Sequence, residues 1–214
     1  RRERRGGACV HGLHFDRASI ASMVARNRLP PWHEEIHLRN GHDVLIRPIR
    51  PEDAPVLRAS FDLLEPDDVR SHLLGGVDAM GVDLSRRLAQ PDVRNEFTLV
   101  VTEQQLAPGE AMILGLARAA VVAGSREAAF SILVGRNVAG MGLGRHLIRR
   151  LARWARGKRL DALQGDVPED NGPLVELALS MGFAQVEGAD PGFVRMRLPL
   201  AEATPSAGIE DGTG

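Results

Sequence analysis

Residues 134–150 read VGRNVAGMGLGRHLIRR, and they hold the clearest chemical signal in the chain. Gly140, Gly142 and Gly144 alternate. An apolar run from Phe130 to Val134 leads in, and a helical pattern of Leu143, Leu147, Ile148 and Leu151 starts at once. Glycines let backbone N–H groups turn toward a ligand with no Cβ in the way. The first turn of a helix adds unpaired N–H groups and the positive end of the helix dipole. The combination predicts a phosphate cradle, and hence a phosphorylated cofactor. Other readings of the loop are weaker. A P-loop needs G-x-x-x-x-G-K-[ST], and Arg145 and His146 stand where its Lys and Ser/Thr belong. A dinucleotide fingerprint needs a third glycine where Arg145 stands, although Asp166 lies about where a ribose-binding acid would be. A glycine turn that caps the helix without any ligand is the plain alternative.

Three other groups invite a chemical reading. His33-Glu34-Glu35-Ile36-His37 fits the zinc pattern H-E-x-x-H. Pro30-Pro31 before it and Asn40-Gly41 after it leave room for a helix of only about two turns, so a hairpin is the expected structure. Cys9, His11 and His14 are close in sequence, but a closed zinc site wants four ligands. No metal is expected. Arg1, Arg2, Arg4 and Arg5 could touch an acidic partner, but no aromatic residues interleave with them for base stacking, which argues against nucleic acid.

The elements that must position the glycine loop follow from punctuation and periodicity. Residues 1–32 read as a basic flexible arm with a possible short helix from Asp16 to Arg28, ended by Pro30-Pro31. Glu35 to Leu38 and Asp43 to Ile49 form the hairpin about Asn40-Gly41. Pro51-Glu52-Asp53 opens a helix with Val56, Leu57, Ser60 and Leu64 on one face. Leu63 to Gln90 is broken by Pro66, Gly75-Gly76 and Gly81, with a helical turn or two from Leu84 to Leu88. Strands are expected at Glu96–Thr102, Met112–Val122 and Ala128–Val134, with gaps short enough for antiparallel hairpins. A helix from Gly142 to Arg156, a strand from Asp161 to Val167, a helix from Asn171 to Ser180 with Gly182 just past its end, and a strand from Phe193 to Leu198 complete the domain over 33–200. Residues 201–214 read as a disordered tail.

Composition bounds the rest. At 214 residues and 43% apolar, the chain supports one domain with a real core. Its net charge of −1 exerts no general pull toward nucleic acid or membrane. No apolar run approaches the roughly 20 residues of a membrane helix. Cys9 is the single cysteine, which suits a reducing cytoplasm.

The order strand, helix, three antiparallel strands, glycine loop, helix, strand, helix, strand resembles the GNAT superfamily of acetyl-CoA-dependent N-acetyltransferases. The family's [QR]-x-x-G-x-[GA] pattern aligns with Ala139-Gly140-Met141-Gly142-Leu143-Gly144, and its downstream Asn and helix ending in Gly-Phe align with Asn171 to Gly182-Phe183. Residues 44–69, VLIRPIRPEDAPVLRASFDLLEPDDV, and 171–183 are similar to the GNAT domain of bacterial protein lysine acetyltransferases, which modify acyl-CoA synthetases. The similarity covers roughly Glu34 to Leu198, the GNAT module alone. It implies an α/β fold of the α+β type, with a central mixed, mainly antiparallel sheet flanked by helices. It implies acetyl-CoA as co-substrate, held by Leu133, Val134, Ala139, Gly140, Met141, Gly142, Leu143, Gly144, Arg145, Asn171, Leu174 and Leu177. The implied partners are acyl-CoA and a protein substrate such as an acyl-CoA synthetase; a homodimer is compatible with these features.

The chain also departs from the pattern. Ala139 replaces the Gln or Arg that opens the loop motif, which removes a side chain but leaves the amides. Ala129 stands where the family's glutamate base would be, and Glu127, two residues earlier on the same strand face, is the candidate replacement. The chain has no tyrosine, and Ala178 occupies the place of the family's usual tyrosine acid. His72 falls in the segment that covers acceptor sites in that fold. The resemblance therefore implies either an N-acyltransferase acting on a protein lysine or a small amine, or a non-catalytic module that senses acyl-CoA.

Overall fold

The computed structural model describes residues 31–62, 81–104, 107 and 109–200. The expected arm up to residue 30, the tail 201–214, and Cys9, His11, His14 and His72 lie outside them. The chain divides into two units, Arg1–Trp32 and His33–Gly214, and every described strand and helix belongs to the second.

Eight strands form one sheet: β1 Glu34–His37, β2 Asp43–Pro48, β3 Glu96–Glu103, β4 Ile113–Val121, β5 Glu127–Val134, β6 Ala162–Pro168, β7 Ala184–Val186 and β8 Phe193–Pro199. Their spatial order is β1-β2-β3-β4-β5-β6-β8-β7. Every neighbouring pair is antiparallel except β5 with β6. Four α-helices flank it among the described residues: α1 Ala54–Asp62, α2 Val82–Ala89, α3 Leu143–Gly157 and α4 Gly172–Ser180. This is the mixed, mainly antiparallel sheet expected from the sequence. The three-residue β7 was not legible there, because all its residues are exposed and it is too short for alternation to register.

The zinc-like pentapeptide folds as the β1–β2 hairpin. Leu38 N donates to His42 O at 2.8 Å, and Gly41 takes φ 85° at the turn. Among the described residues, no group of three His, Cys, Asp or Glu side chains converges as a metal site. Pro51–Asp53 forms a 3-10 turn that leads into α1. There Asp53 is buried at 1% exposure, and its carboxylate takes a two-pronged ion pair from Arg47 (2.7 and 2.8 Å). It also accepts from the backbone N–H groups of Arg50 (2.8 Å) and Gly109 (3.1 Å). One carboxylate thus ties β2, α1 and a loop 56 residues away.

Strand alternation gives the sheet two different faces. On one face Leu143, Leu147, Ile148 and Leu151 of α3 are each at most 1% exposed. Burial of such side chains stabilises by about 1.5–3 kcal/mol each. Trp154 of α3 stacks on Phe97 of β3, with centroids 5.8 Å apart. On the other face Leu57 of α1 and Leu88 of α2 pack over Val100, Leu116 and Leu133.

Candidate functional site

β5 and β6 pair only over Glu127–Ala129 and Ala162–Gln164. β5 runs on to Val134 and β6 to Pro168 without further pairing, so the strands part. β5 stays paired with β4 as far as Val134, so main-chain groups on its other edge face the gap. At the start of the parting Gly165 lets β6 pass close to β5: a Cβ there would lie 2.7 Å from the Phe130 carbonyl oxygen. Past the gap, the T-shaped Phe130–Phe183 contact (5.4 Å) fastens the end of α4 to β5. Phe183 N donates to Ala178 O across Gly182, the helix ending that the sequence predicted.

The gap opens into a cleft of about 510 Å³ between β5, α3 and α4. Gly140 and Gly142 hold φ 73° and 87°, conformations that L side chains resist. Gly142 caps α3 without any side-chain hydrogen bond, and the first helical bond is His146 N to Gly142 O. The amides of the first turn are therefore presented at the cleft, where anionic oxygens would find N–H donors and the positive dipole end. Gly144 lets α4 approach, since a Cβ there would meet Leu177 Cδ2 at 2.9 Å. Asn171 caps α4, its Oδ1 accepting from Leu174 N at 3.1 Å. Arg145 Nη2 donates to Ser180 Oγ at 2.7 Å, which places a guanidinium at the cleft wall.

Of the residues expected to hold a cofactor, Val134, Ala139, Gly140, Gly142, Leu143, Gly144, Arg145, Asn171, Leu174 and Leu177 all line this cleft. Leu133 and Met141 are not among its lining residues. Leu133 points to the opposite face, into the core under α1 and α2. The cleft also takes in Ile132, Arg136, Val138 and Pro173, which the sequence reading passed over. Ile132 was within reach of it: the residue two before Val134 must share its face. Gly165 also carried a signal, since a lone glycine within a strand marks close backbone approach.

Glu127 stands at the far end of β5 from the cleft. Arg197 of β8 holds its carboxylate through Nη2 (2.7 Å) and Nε (3.1 Å), drawing it across β6 and away from the parting strands. Ala129, two residues on, is exposed.

Residues 80–183 match the family model described as "Acetyltransferase (GNAT) family". The fold is similar to the GNAT domain of S. lividans PAT, with TM-score 0.68 and 19% identity over 81% of this chain and 100% of that one. It is also similar to a cAMP-binding acyltransferase from Mycobacterium smegmatis, with TM-score 0.53 and 19% identity over 79% of this chain. The chain spans 48% of that protein's length. Spermidine N-acetyltransferase from Vibrio cholerae, in complex with CoA and spermine, matches with TM-score 0.57 and 19% identity, over 73% of this chain and 95% of that one. The glycine loop at a helix N-terminus, the parted parallel strands and the family match over residues 80–183 agree: this region is similar to the acetyltransferase (GNAT) family, and the chain has the fold of the GNAT domains it resembles.

Proposed function

We propose that this domain binds acetyl-CoA and transfers its acetyl group to an amine, with a protein lysine as the favoured acceptor. The observation that carries the reading is the cleft where Gly140, Gly142 and Gly144 bring the α3 amides against the gap between β5 and β6. The CoA diphosphate lies on those amides, Arg145 adds a positive charge, and the pantetheine arm runs along the free edge of β5. A main-chain N–H of β5 near Val134 polarises the thioester carbonyl, as an oxyanion hole does. The thiolate leaves with a solution pKa of about 8.5 and needs little acid assistance, so the absence of tyrosine is tolerable. The likeness to the S. lividans domain supports a protein acceptor; that to the spermidine enzyme supports a polyamine as the competing choice. An acyl-CoA synthetase is the protein substrate favoured by the sequence resemblance, in a reducing cytoplasm.

Ala129 and the absence of tyrosine favour a second reading, a module that senses acyl-CoA without turning it over. Isothermal titration with acetyl-CoA, followed by a CoA-release assay with lysine peptides and spermine, separates the two. Binding with turnover supports the enzyme; tight binding with no turnover on any amine supports the sensor.

A further inference from the structure

The donor enters the cleft from its mouth, where the glycine loop and the first turn of α3 lie. Its acyl group is then the leading end and points inward along β5. Strand alternation sets what that group meets. Val134, Ile132 and Phe130 share the face that looks onto α3, in that order from the mouth inward. Val134 and Ile132 line the cleft and Phe130 does not, so on this strand the cleft ends at Ile132. Behind Ile132 the space is filled. Phe130 and Phe183 meet edge to face and are 7% and 4% exposed. Gly165 of β6 lies against the Phe130 ring, since a Cβ there would come within 2.8 Å of Cε1 and 2.9 Å of Cδ1. From the side, α3 closes in at Gly144, where a Cβ would meet Leu177 Cδ2 at 2.9 Å and Ile132 Cδ1 at 3.9 Å. Ile132 itself is 4% exposed. Side chains packed in this way do not yield to extra carbons without cost.

We infer that Ile132, backed by Phe130, is the length stop of the acyl site and restricts the donor to acetyl and propionyl groups. The inference rests on the acyl-transfer reading above. With the thioester carbonyl on the Val134 N–H, the next residue on that face, Ile132, stands about 6.8 Å farther in. Contact between carbon atoms takes about 4 Å of this and leaves about 3 Å past the carbonyl. An extended chain uses about 1.3 Å per carbon, so one carbon or two fit there and five do not. A longer chain would have to push Ile132 into the Phe130–Phe183 pair, or leave the cleft and lose the placement of its thioester. Shortening Ile132 extends the cleft inward, whereas removing carbons elsewhere in the core does not.

The test is calorimetric titration of the full chain with acetyl-CoA, propionyl-CoA and hexanoyl-CoA, for wild type, Ile132→Val, Ile132→Ala and Ile46→Ala. Thermal melting of each serves as the check of fold. Ile46→Ala removes the same carbons from a fully buried position on β2, on the far side of β3 and β4 from β5. The readout is the ratio of hexanoyl-CoA to acetyl-CoA affinity, which a general loss of stability does not move. One methylene too many in a fitted apolar pocket discriminates by about tenfold or more. Wild type should therefore bind propionyl-CoA within threefold of acetyl-CoA, and hexanoyl-CoA at least tenfold more weakly. Ile132→Ala should narrow that gap at least fivefold, and the milder Ile132→Val at least twofold. Ile46→Ala should keep the wild-type ratio. A wild-type gap of less than tenfold would overturn the inference. So would folded Ile132 variants that keep the wild-type ratio, or an Ile46→Ala chain that relaxes it equally; each leaves the CoA site standing. Failure of wild type to bind acetyl-CoA removes the acyl-transfer reading itself.

Discussion

The two ends of β5 are built in opposite ways. At the Val134 end the cleft is mostly backbone: left-handed glycines, first-turn amides, and a strand edge freed because β6 turns away. At the Glu127 end and across the neighbouring strands the surface is made of paired side chains, Glu127 with Arg197, Glu96 with Arg118, Asp166 with Arg195. A backbone site tolerates loss of side chains, which is why Ala139 in place of the family's Gln or Arg leaves the cradle intact. A side-chain site does not, and at position 129 an alanine offers no group that could exchange a proton.

Substitutions can break this contrast, and the largest effect lies in neither site but in the Asp53 anchor between β2 and α1. Asp53→Ala strands the buried Arg47 guanidinium and two backbone N–H donors, at a cost of about 3–5 kcal/mol in urea unfolding. Burial alone pushes the Asp53 carboxyl up, but the hydrogen bonds from Arg47, Arg50 and Gly109 outweigh it and hold its pKa below the usual range. For a depressed carboxyl the stabilisation is present at neutral pH and is lost as pH falls below about 4. Acid titration of wild type should show that loss, and the Asp53→Ala variant should lack this part of it.

Gly165→Val comes next. Its Cβ would press on the Phe130 carbonyl, which cannot yield without moving β5. Overpacking of this kind costs about 1–3 kcal/mol, read as a lower melting temperature, together with weaker acetyl-CoA binding as the gap deforms. Gly144→Leu is smaller in stability but selective in function. It drives into Leu177 and narrows the cleft, so acetyl-CoA affinity should fall about tenfold or more, roughly 1.4 kcal/mol, in calorimetry. Smallest is Glu127→Gln, which removes a partly exposed ion pair for about 0.2–1 kcal/mol. If that variant instead abolished turnover while keeping acetyl-CoA affinity, the division between the two ends would fail.

Legibility in sequence followed the same division. Gly140 to Gly144, the α3 leucines at four-residue spacing and the Asn171 cap with Gly182 are local signals, each within a dozen residues, and their elements wall the cleft. Asn40-Gly41 is equally local, and it marks the turn of the hairpin whose first strand is the zinc-like pentapeptide. What was not legible depends on register. Arg118 meets Glu96 across 22 residues and Arg197 meets Glu127 across 70, and nothing in the intervening residues announces either pair. Leu133, expected at the cleft, lies on the other face under α1 and α2, because alternation with its neighbour Val134 turns it there. Asp53 read as a helix-start acid, and its burial under Arg47 emerges only from the fold.

The most direct test of the central claim is calorimetric titration of acetyl-CoA into the full chain, wild type beside Gly144→Leu. The account predicts saturable one-to-one binding by wild type and at least a tenfold loss in the variant, with both chains folded. Absence of binding by wild type, or equal affinity in the two, would contradict it.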